Sequence, residues 1–200
     1  MHKRCEILKI VFADRDGVIN KDRPDYVKSW SDFEFLPGSL DALKLLTLNG
    51  YQIILITNQS VINRRMVTEA ALQEIHEKMT EAVVDHGGSI EAIYYCPHAP
   101  EDGCNCRKPK PGLIYRARAD YGLALSRTCM IGDSLNDIGC ARRAGCGRVI
   151  LVRTGHGKEA ERLCREGDVK ADHVADDLMA AAKWLLDESS KVKANETHSW

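Results

Sequence analysis

Two aspartates, Asp14 and Asp16, stand one residue apart directly after a mostly apolar run over residues 7–13. Such a run is typical of a buried strand, and two carboxylates at its end are costly unless a cation meets them. Gly17 follows, and a glycine permits close approach of the backbone to a bound group. The spacing therefore indicates a site for a hard cation such as Mg²⁺, which prefers oxygen ligands.

Three other polar clusters also follow apolar stretches, and their residue types suit the binding of an anion or a cation. They are Thr57, Asn58, Gln59 and Ser60, then Arg107 and Lys108, and then Asp133 and Ser134. Ligands of open parallel sheets bind beyond the carboxyl ends of the strands, so clusters at four strand ends should converge on one rim. One such cluster would be an ordinary cap or turn, whereas four in one chain favour a functional site.

The combined residue types predict phosphoryl transfer. Asp14, Asp16 and Asp133 offer oxygen ligands for Mg²⁺, while Thr57 and Lys108 offer a hydrogen-bond donor and a cation for an anionic oxygen. A carboxylate nucleophile beside a metal ion, with a second carboxyl group and a lysine, suits a reaction through an aspartyl-phosphate.

A second metal site is predicted in the loop that ends at Arg107. Cys96, His98, Cys104 and Cys106 together offer a full tetrahedral ligand set of the soft kind that favours Zn²⁺. Four protein ligands leave no open coordination position, so we expect a structural zinc ion that rigidifies the loop. An unmetallated loop is the alternative, but this segment is rich in proline, glycine and charge and has little else to hold it.

Apolar stretches alternate with helical patterns along the chain. Strands are predicted over residues 7–13, 52–57, 90–95, 129–132 and 148–152. Helices are predicted to begin near Ser39 and Thr68, and four more to span residues 112–121, 135–144, 158–165 and 178–188. Alternation of this kind implies right-handed crossovers and an α/β fold with a parallel sheet.

The composition limits the class of protein. The length of 200 residues suits one domain, expected over residues 1–188 with a C-terminal tail over residues 189–200. A formal net charge of -1 argues against nonspecific binding to nucleic acid. No apolar run approaches the roughly 20 residues that span a bilayer, and the N-terminus makes a poor signal peptide. We therefore expect a cytoplasmic monomer whose eight cysteines form no disulfide framework.

Four motifs occur in order along the chain: DRDGV at residues 14–18, TNQS at 57–60, RKP at 107–109 and GDSLND at 132–137. The first alone would be a weak signal. The ordered set, each after an apolar strand, resembles the haloacid dehalogenase superfamily of phosphohydrolases, and the resemblance spans residues 7 to about 155. It implies a three-layer, Rossmann-like fold with a central parallel sheet and no separate cap domain.

The resemblance also implies a role for each motif residue. Asp14 corresponds to the nucleophile that attacks phosphorus, and Asp16 to the group that protonates the leaving oxygen and then activates water. Thr57 and Lys108 would hold the transferring phosphoryl oxygens. Asp133 would complete the Mg²⁺ site with a carboxylate oxygen of Asp14 and the backbone carbonyl of Asp16. Without a proton donor at the second aspartate, release of an alcohol from a phosphate ester would be slow.

The cysteine loop resembles that of two capless branches of the superfamily, the heptose 1,7-bisphosphate 7-phosphatases and the histidinol phosphatases. DYV at residues 25–27 and FEFLPG at residues 33–38 look more like the heptose branch. Two places depart from that branch: Ser134 stands where a lysine is common, and residues 61–65 replace a glycine-rich run. The sequence therefore predicts a sugar phosphatase, most closely a heptose bisphosphate 7-phosphatase, with histidinol phosphate as the alternative substrate.

With no cap domain, loops must enclose the phosphorylated sugar. The predicted substrate contacts are Asp22, Arg23, Asp25, Asn58, Gln59, Ser60, Arg107 and Ser134. Arg107 suits bidentate recognition of phosphate or sugar oxygens. Arg64 or Arg65 is a candidate for the positive charge that Ser134 lacks, directed toward a second phosphate.

Two rival interpretations have less support. A 3′-phosphatase of nucleic-acid ends would share the four motifs, but the near-neutral charge and the lack of an aromatic and basic stripe count against it. A non-enzymatic, zinc-stabilised interaction module would leave the motif aspartates unexplained. His76, His86, His156 and His173 belong to no motif, and we expect surface or helix-terminus positions for them.

Overall fold

The structure is a computed structural model that describes residues 9–197. A six-stranded parallel sheet lies at its centre. Its strands are β1 (Lys9–Ala13), β2 (Tyr51–Asn58), β3 (Ala92–Cys96), β4 (Thr128–Gly132), β5 (Arg148–Val152) and β6 (His173–Ala175). Six helices connect or follow them: α1 (Ser39–Leu48), α2 (Glu69–Asp85), α3 (Gly112–Tyr121), α4 (Leu135–Ala144), α5 (Gly157–Glu166) and α6 (Leu178–Thr197). The strand order is β3-β2-β1-β4-β5-β6, with every neighbouring pair parallel.

The two faces of the sheet pack against different helices. Alternate residues of a strand point to opposite faces, so Val11 and Ala13 of β1 join a core with α1, α2 and α6. Ile10 and Phe12 join the opposite core with α3, α4 and α5. Burial on both faces explains why the strands are continuously apolar. The predicted three-layer α/β fold is confirmed, and within residues 9–197 there is no separate cap domain.

Strand β1 lies at the point where the strand order reverses. Ala13 is in register with Leu55 of β2 on one side and with Ile131 of β4 on the other. The backbone N–H of Asp14 donates to the Ile131 carbonyl at 3.0 Å, which fixes the first residue after the strand. In open α/β sheets the connections leave in opposite directions at such a point and open a crevice there.

Helix starts and ends follow the expected chemistry with small shifts. The Thr68 hydroxyl accepts from the Ala71 N–H at 3.1 Å, so Thr68 caps α2 as predicted. Helix α1 begins at Ser39 itself, and Gly38 occupies the cap position in the left-handed region. None of the helices described is both long and apolar enough to cross a bilayer.

Two elements differ from the prediction. Strand β6 was not predicted, because three residues are too few to show a periodic pattern. Helix α6 continues past residue 188, where its end was predicted, and the hydroxyls of Ser189 and Ser190 donate to the carbonyls of Leu185 and Leu186. These bonds to the preceding turn fit a polar run that remains helical.

The boundary of the domain is a separate matter from the end of this helix. The division into a domain over residues 1–188 and a tail over residues 189–200 stays a prediction. Residues 1–8, which include the start of the first predicted strand, and residues 198–200 lie outside the described part of the chain.

The core on the α1 side predicts a clear difference between two leucines of the same helix. Leu43 is fully buried, whereas Leu48 is 72% exposed. Leu43→Ala should lower the free energy of unfolding by about 2–5 kcal/mol, because it removes buried methyl groups and leaves a cavity. The matched variant Leu48→Ala should change it by less than about 0.5 kcal/mol. Urea unfolding followed by circular dichroism measures both, and similar losses would contradict this packing.

Candidate active site

A cavity of about 730 Å³ opens at the carboxyl ends of β1, β2 and β4. The residues that the sequence predicts for catalysis and for magnesium binding all line it: Asp14, Asp16, Thr57, Lys108 and Asp133. The predicted convergence of separate strand-end clusters on one rim is therefore what the structure shows.

Lys108 is a buried cation that lines this cavity. Its side chain is 2% exposed, and its Nζ lies 2.7 Å from Asp14 Oδ2 and 2.6 Å from Asp137 Oδ1. The same ammonium group donates to the Ile56 carbonyl at 2.8 Å. Burial by itself lowers the pKa of a lysine, but the carboxylates of Asp137 and Asp14 hold the pKa of Lys108 above its ordinary value. The side chain is therefore charged at neutral pH.

Three carboxylates form a group around this lysine. One oxygen each of Asp14, Asp133 and Asp137 lie within 4.8 Å of one another. Burial raises the pKa of Asp14 to about 7. The charge of Lys108 only partly offsets this effect of burial, and repulsion from Asp137 adds to the rise. Burial, and then repulsion from the carboxylates of Asp137 and Asp14, raise the pKa of Asp133 to about 8. A divalent cation among these oxygens would relieve the repulsion, so the donor set fits Mg²⁺.

Two glycines make room for the carboxylate of Asp133. A Cβ built on Gly17 would lie 2.1 Å from Asp133 Oδ2, and one built on Gly155 would lie 2.0 Å from the same oxygen. The backbone N–H of His156 donates to that oxygen at 2.8 Å. Sequence analysis missed this last contact, although the segment after β5 follows an apolar strand just as the four motifs do.

Asp137 supports the cavity from the start of α4. Its Oδ2 accepts from the N–H of Ser134 at 3.0 Å and from the Ser134 hydroxyl at 2.5 Å, while its other oxygen meets Lys108. Ser134, a predicted substrate contact, thus lines the cavity and also caps the helix.

The carboxylate of Asp16 is held by a different set of donors. Arg15 Nη2 donates to both of its oxygens at 2.8 and 2.9 Å. The side-chain amides of Asn20 and Gln59 each donate at 2.8 Å. Burial alone would raise the pKa of Asp16, but Arg15 and the two amides bring it below its ordinary value. Gln59 also donates to Thr57 Oγ1 at 2.9 Å, which connects Asp16 to the predicted phosphate-binding hydroxyl.

Arg15 has a second partner that sequence analysis did not identify. Its Nη1 lies 3.2 Å from Nε2 of His76, which projects from the middle of α2 and is 4% exposed. The expected surface or helix-terminus position is therefore wrong for His76. A signal was available, because position 76 falls within the apolar stripe of α2, four residues after Leu72 and three before Met79. For His86, which caps the C-terminus of α2, the expectation is confirmed.

The predicted zinc ligands come together at the end of β3. The Sγ atoms of Cys96, Cys104 and Cys106 lie 3.2–3.6 Å apart, and Nδ1 of His98 lies 3.2 Å from Cys106 Sγ. Edges of about 3.7 Å follow from tetrahedral Zn–S bonds of about 2.3 Å, so the cluster has the size of a zinc site.

The last part of the cysteine loop is fastened to β2. The Asn58 side chain accepts from the Lys108 N–H at 3.1 Å and donates to the Lys108 carbonyl at 3.2 Å. Arg107 Nη1 donates to the His98 carbonyl at 3.0 Å, which joins the predicted phosphate-binding arginine to the cysteine cluster. These bonds place the loop beside the cavity.

The predicted substrate contacts divide into two groups. Lining the cavity are Asp22, Arg23, Asn58, Gln59, Ser60, Arg107 and Ser134. Asp25 is not among the lining residues. Its carboxylate pairs with Arg23 at 3.2 Å and with Lys28 at 3.5 Å. Asp22 is already paired, with His156 Nε2 at 2.8 Å. Of the two candidate arginines in the next loop, Arg64 lines the cavity and Arg65 does not.

Known proteins with similar sequences are phosphatases. The family model described as haloacid dehalogenase-like hydrolase matches residues 1–142. The chain is 41% identical over 182 residues to the D-glycero-beta-D-manno-heptose-1,7-bisphosphate 7-phosphatase of Bordetella bronchiseptica, covering 91% of this chain and 100% of that one. The enzyme of the same name from Pseudomonas aeruginosa is 39% identical, covering 88% and 97% of the two chains.

Solved structures agree with the sequence comparison. The crystal structure of D,D-heptose 1,7-bisphosphate phosphatase from B. bronchiseptica, complexed with magnesium and phosphate, matches with a TM-score of 0.85, covering 90% of this chain and 99% of that one. The corresponding phosphatase from Burkholderia thailandensis, 31% identical, matches with a TM-score of 0.68 over 89% and 98% of the two chains. The family model and the relatives together exclude the non-enzymatic interpretation, and the chain belongs to the haloacid dehalogenase-like hydrolase family, as a phosphoric monoester hydrolase.

Proposed function

We propose that this chain removes the 7-phosphate of D-glycero-D-manno-heptose 1,7-bisphosphate through an aspartyl-phosphate formed on Asp14. The observation that carries the proposal is the contact of 2.7 Å between Asp14 and the buried Lys108 at the centre of a carboxylate-lined cavity. The names of the relatives from B. bronchiseptica and P. aeruginosa support the substrate, because they match nearly the full length of the chain.

The chemistry follows from the residues of the cavity. A carboxylate oxygen of Asp14 attacks phosphorus, and the bond between phosphorus and the sugar oxygen breaks. Asp16, which must carry a proton at this step, gives it to that leaving oxygen. Water then attacks the phosphorus of the aspartyl-phosphate while Asp16 accepts its proton, which releases phosphate and regenerates Asp14. Lys108 and the Thr57 hydroxyl hold the phosphoryl oxygens during both displacements.

Mg²⁺ is the cofactor that suits the carboxylate group. Asp14, Asp133 and the backbone carbonyl of Asp16 would hold it, and the buried Asp137 stands beside them. When bound, the ion supplies positive charge to the phosphoryl oxygens. The magnesium and phosphate in the B. bronchiseptica structure support this assignment.

Substrate preference tests the proposal directly. Phosphate release with Mg²⁺ should favour a heptose 1,7-bisphosphate over histidinol phosphate and a 3′-phosphorylated oligonucleotide by about 100-fold in kcat/KM, roughly 2.7 kcal/mol of transition-state discrimination. Both anomers of the heptose belong in the panel. Asp14→Asn should remove activity on every substrate. A preference for histidinol phosphate would keep the chemistry of Asp14 and overturn the proposed sugar.

Arg64 is the residue that we assign to the second phosphate of the substrate. It lines the cavity, and its guanidinium lies 6.0 Å from the ring centroid of Tyr26, another lining residue. Ser134 brings no positive charge to the rim, so the bisphosphate needs a cation from another element. Arg65 belongs to the same loop but lies outside the lining, which makes it a matched control.

Arg64→Ala should lower kcat/KM for the bisphosphate by about 10- to 100-fold, because a hydrogen bond to a charged group contributes roughly 1.5–3 kcal/mol. Activity on heptose 7-phosphate, which lacks the second phosphate, should stay within about threefold of the wild type. Arg65→Ala should leave both substrates within the same limit. An equal loss on the two substrates in the Arg64 variant would refute the assignment.

The cysteine loop is proposed to hold one structural Zn²⁺. The contacts among Cys96, His98, Cys104 and Cys106 support this, as does the attachment of the loop to the cavity through Lys108. A fixed loop would keep the lysine ammonium in place beside Asp14.

Metal analysis of purified protein should find about one zinc per chain in the wild type and almost none in Cys104→Ser. The zinc-free variant should also unfold at a lower temperature and lose activity. Cys164→Ser replaces a buried cysteine of α5 outside the loop and should keep its zinc. Full zinc content in Cys104→Ser would rule out this ligand set.

A further inference from the structure

A buried arginine with two different partners lies beneath the cavity. Arg15 is 1% exposed, and its guanidinium donates through Nε and Nη2 to Asp16 and through Nη1 to His76. A guanidinium is planar and presents its donors in a fixed fork, so partners on two edges define its orientation. With only Asp16 as partner, the group would keep freedom to rotate and shift.

His76 can act in this contact only as an acceptor. A guanidinium has donors and no acceptor, so Nε2 of His76 carries no proton and the ring is neutral. Burial, and then the charge of Arg15, lower the pKa of His76 to about 3, in agreement with that geometry. The ring is held edge-on to Tyr95 with centroids 5.9 Å apart. The acceptor is therefore fixed by both α2 and β3.

The carboxylate of Asp16, which Arg15 binds, is also held by two side-chain amides. Asn20 and Gln59 each donate to one of its oxygens at 2.8 Å, and Gln59 also donates to Thr57. The proposed acid–base carboxylate thus belongs to a network that extends from the helix α2 to the proposed phosphate-binding hydroxyl. Arg15 supplies the only full positive charge that the structure records on Asp16 in the described chain.

We propose that His76 is a positioning residue for the reaction: it orients Arg15, and Arg15 in turn places the carboxylate of Asp16 for proton transfer to the leaving oxygen. This inference rests on the proposed role of Asp16. It assigns a function to a histidine of α2 that belongs to none of the four motifs. Misplacement of a reacting group by about 1 Å can cost on the order of 100-fold in rate, so a helix behind the cavity can influence the chemistry.

The leaving group distinguishes positioning from general structural support. An alkyl or sugar alkoxide needs a proton as it departs, whereas p-nitrophenolate leaves without one. For both substrates, kcat/KM reports the steps up to breakage of the bond to the leaving group. The ratio of the two kcat/KM values, measured on one preparation, does not depend on the fraction of correctly folded enzyme.

His76→Phe keeps a ring and removes the acceptor, and it should lower kcat/KM for the sugar phosphate by about 10- to 100-fold. Activity on p-nitrophenyl phosphate should fall by less than about threefold, so the ratio changes. His76→Gln, which offers an amide oxygen to Arg15, should restore the ratio to near its wild-type value. His86→Phe, at the end of the same helix, should leave it unchanged.

Asp16→Asn separates failure of this inference from failure of the proposed function. If Asp16 protonates the leaving oxygen, this variant should show the same selective loss on the sugar phosphate, and a larger one. Selective loss in Asp16→Asn with an unchanged ratio in His76→Phe would overturn the role of His76 alone. An unchanged ratio in Asp16→Asn would overturn the role of Asp16 and, with it, the inference.

Discussion

The ammonium group of Lys108 balances negative charge that the fold has buried. Asp14 and Asp137 lie within 2.7 Å of it, and Asp133 completes a group of three carboxylates that water reaches poorly. Even beside that lysine, burial raises the pKa of Asp14 to about 7 and the pKa of Asp133 to about 8, because ionised carboxylates lose hydration there. The proposed nucleophile, Asp14, therefore depends on positive charge from elsewhere, first from the lysine and then from the proposed metal ion.

Because Asp14 depends on charges from other residues, segments that are distant in the sequence must be held together at the rim of the cavity. Lys108 lies at the end of the cysteine loop, and the side chain of Asn58 in β2 binds both the backbone N–H and the carbonyl of Lys108. Asp137 lies in the first turn of α4, where it forms a capping box with Ser134. In each case an ordinary structural bond sets the position of a side chain in the cavity. The bonds that stabilise these local elements consequently also set the geometry of the site.

The sequence predicted the parts of the site that follow from rules of strand ends. Asp14, Thr57 and Asp133 could be placed together because parallel strands end on one edge, and the cysteine loop because its ligand types are specific. The contact of His76 with Arg15 could not be predicted in this way. The helical period shows that position 76 is buried, but only the packing of α2 on the sheet decides what a buried side chain meets.

The same limit applies to elements of weak periodicity and to loops. Strand β6 has three residues, and its pairing with β5 rather than its own sequence makes it a strand. Asp25, a predicted substrate contact, lies outside the lining of the cavity and pairs with Arg23 and Lys28, since charges in a polar turn have several partners within reach. Contacts within loops depend on distances in three dimensions, and these distances cannot be inferred from residue types alone.

Gln59 has a further consequence for the polarity of the cavity. Its amide nitrogen donates to Thr57 Oγ1, which makes that oxygen an acceptor on this side and leaves the hydroxyl hydrogen to point elsewhere. The Thr57 hydroxyl can then donate its hydrogen to an incoming group. A hydroxyl fixed as a donor discriminates by hydrogen-bond direction: it suits an acceptor oxygen, such as that of a phosphoryl group, and disfavours a hydroxyl or amine hydrogen in the same place.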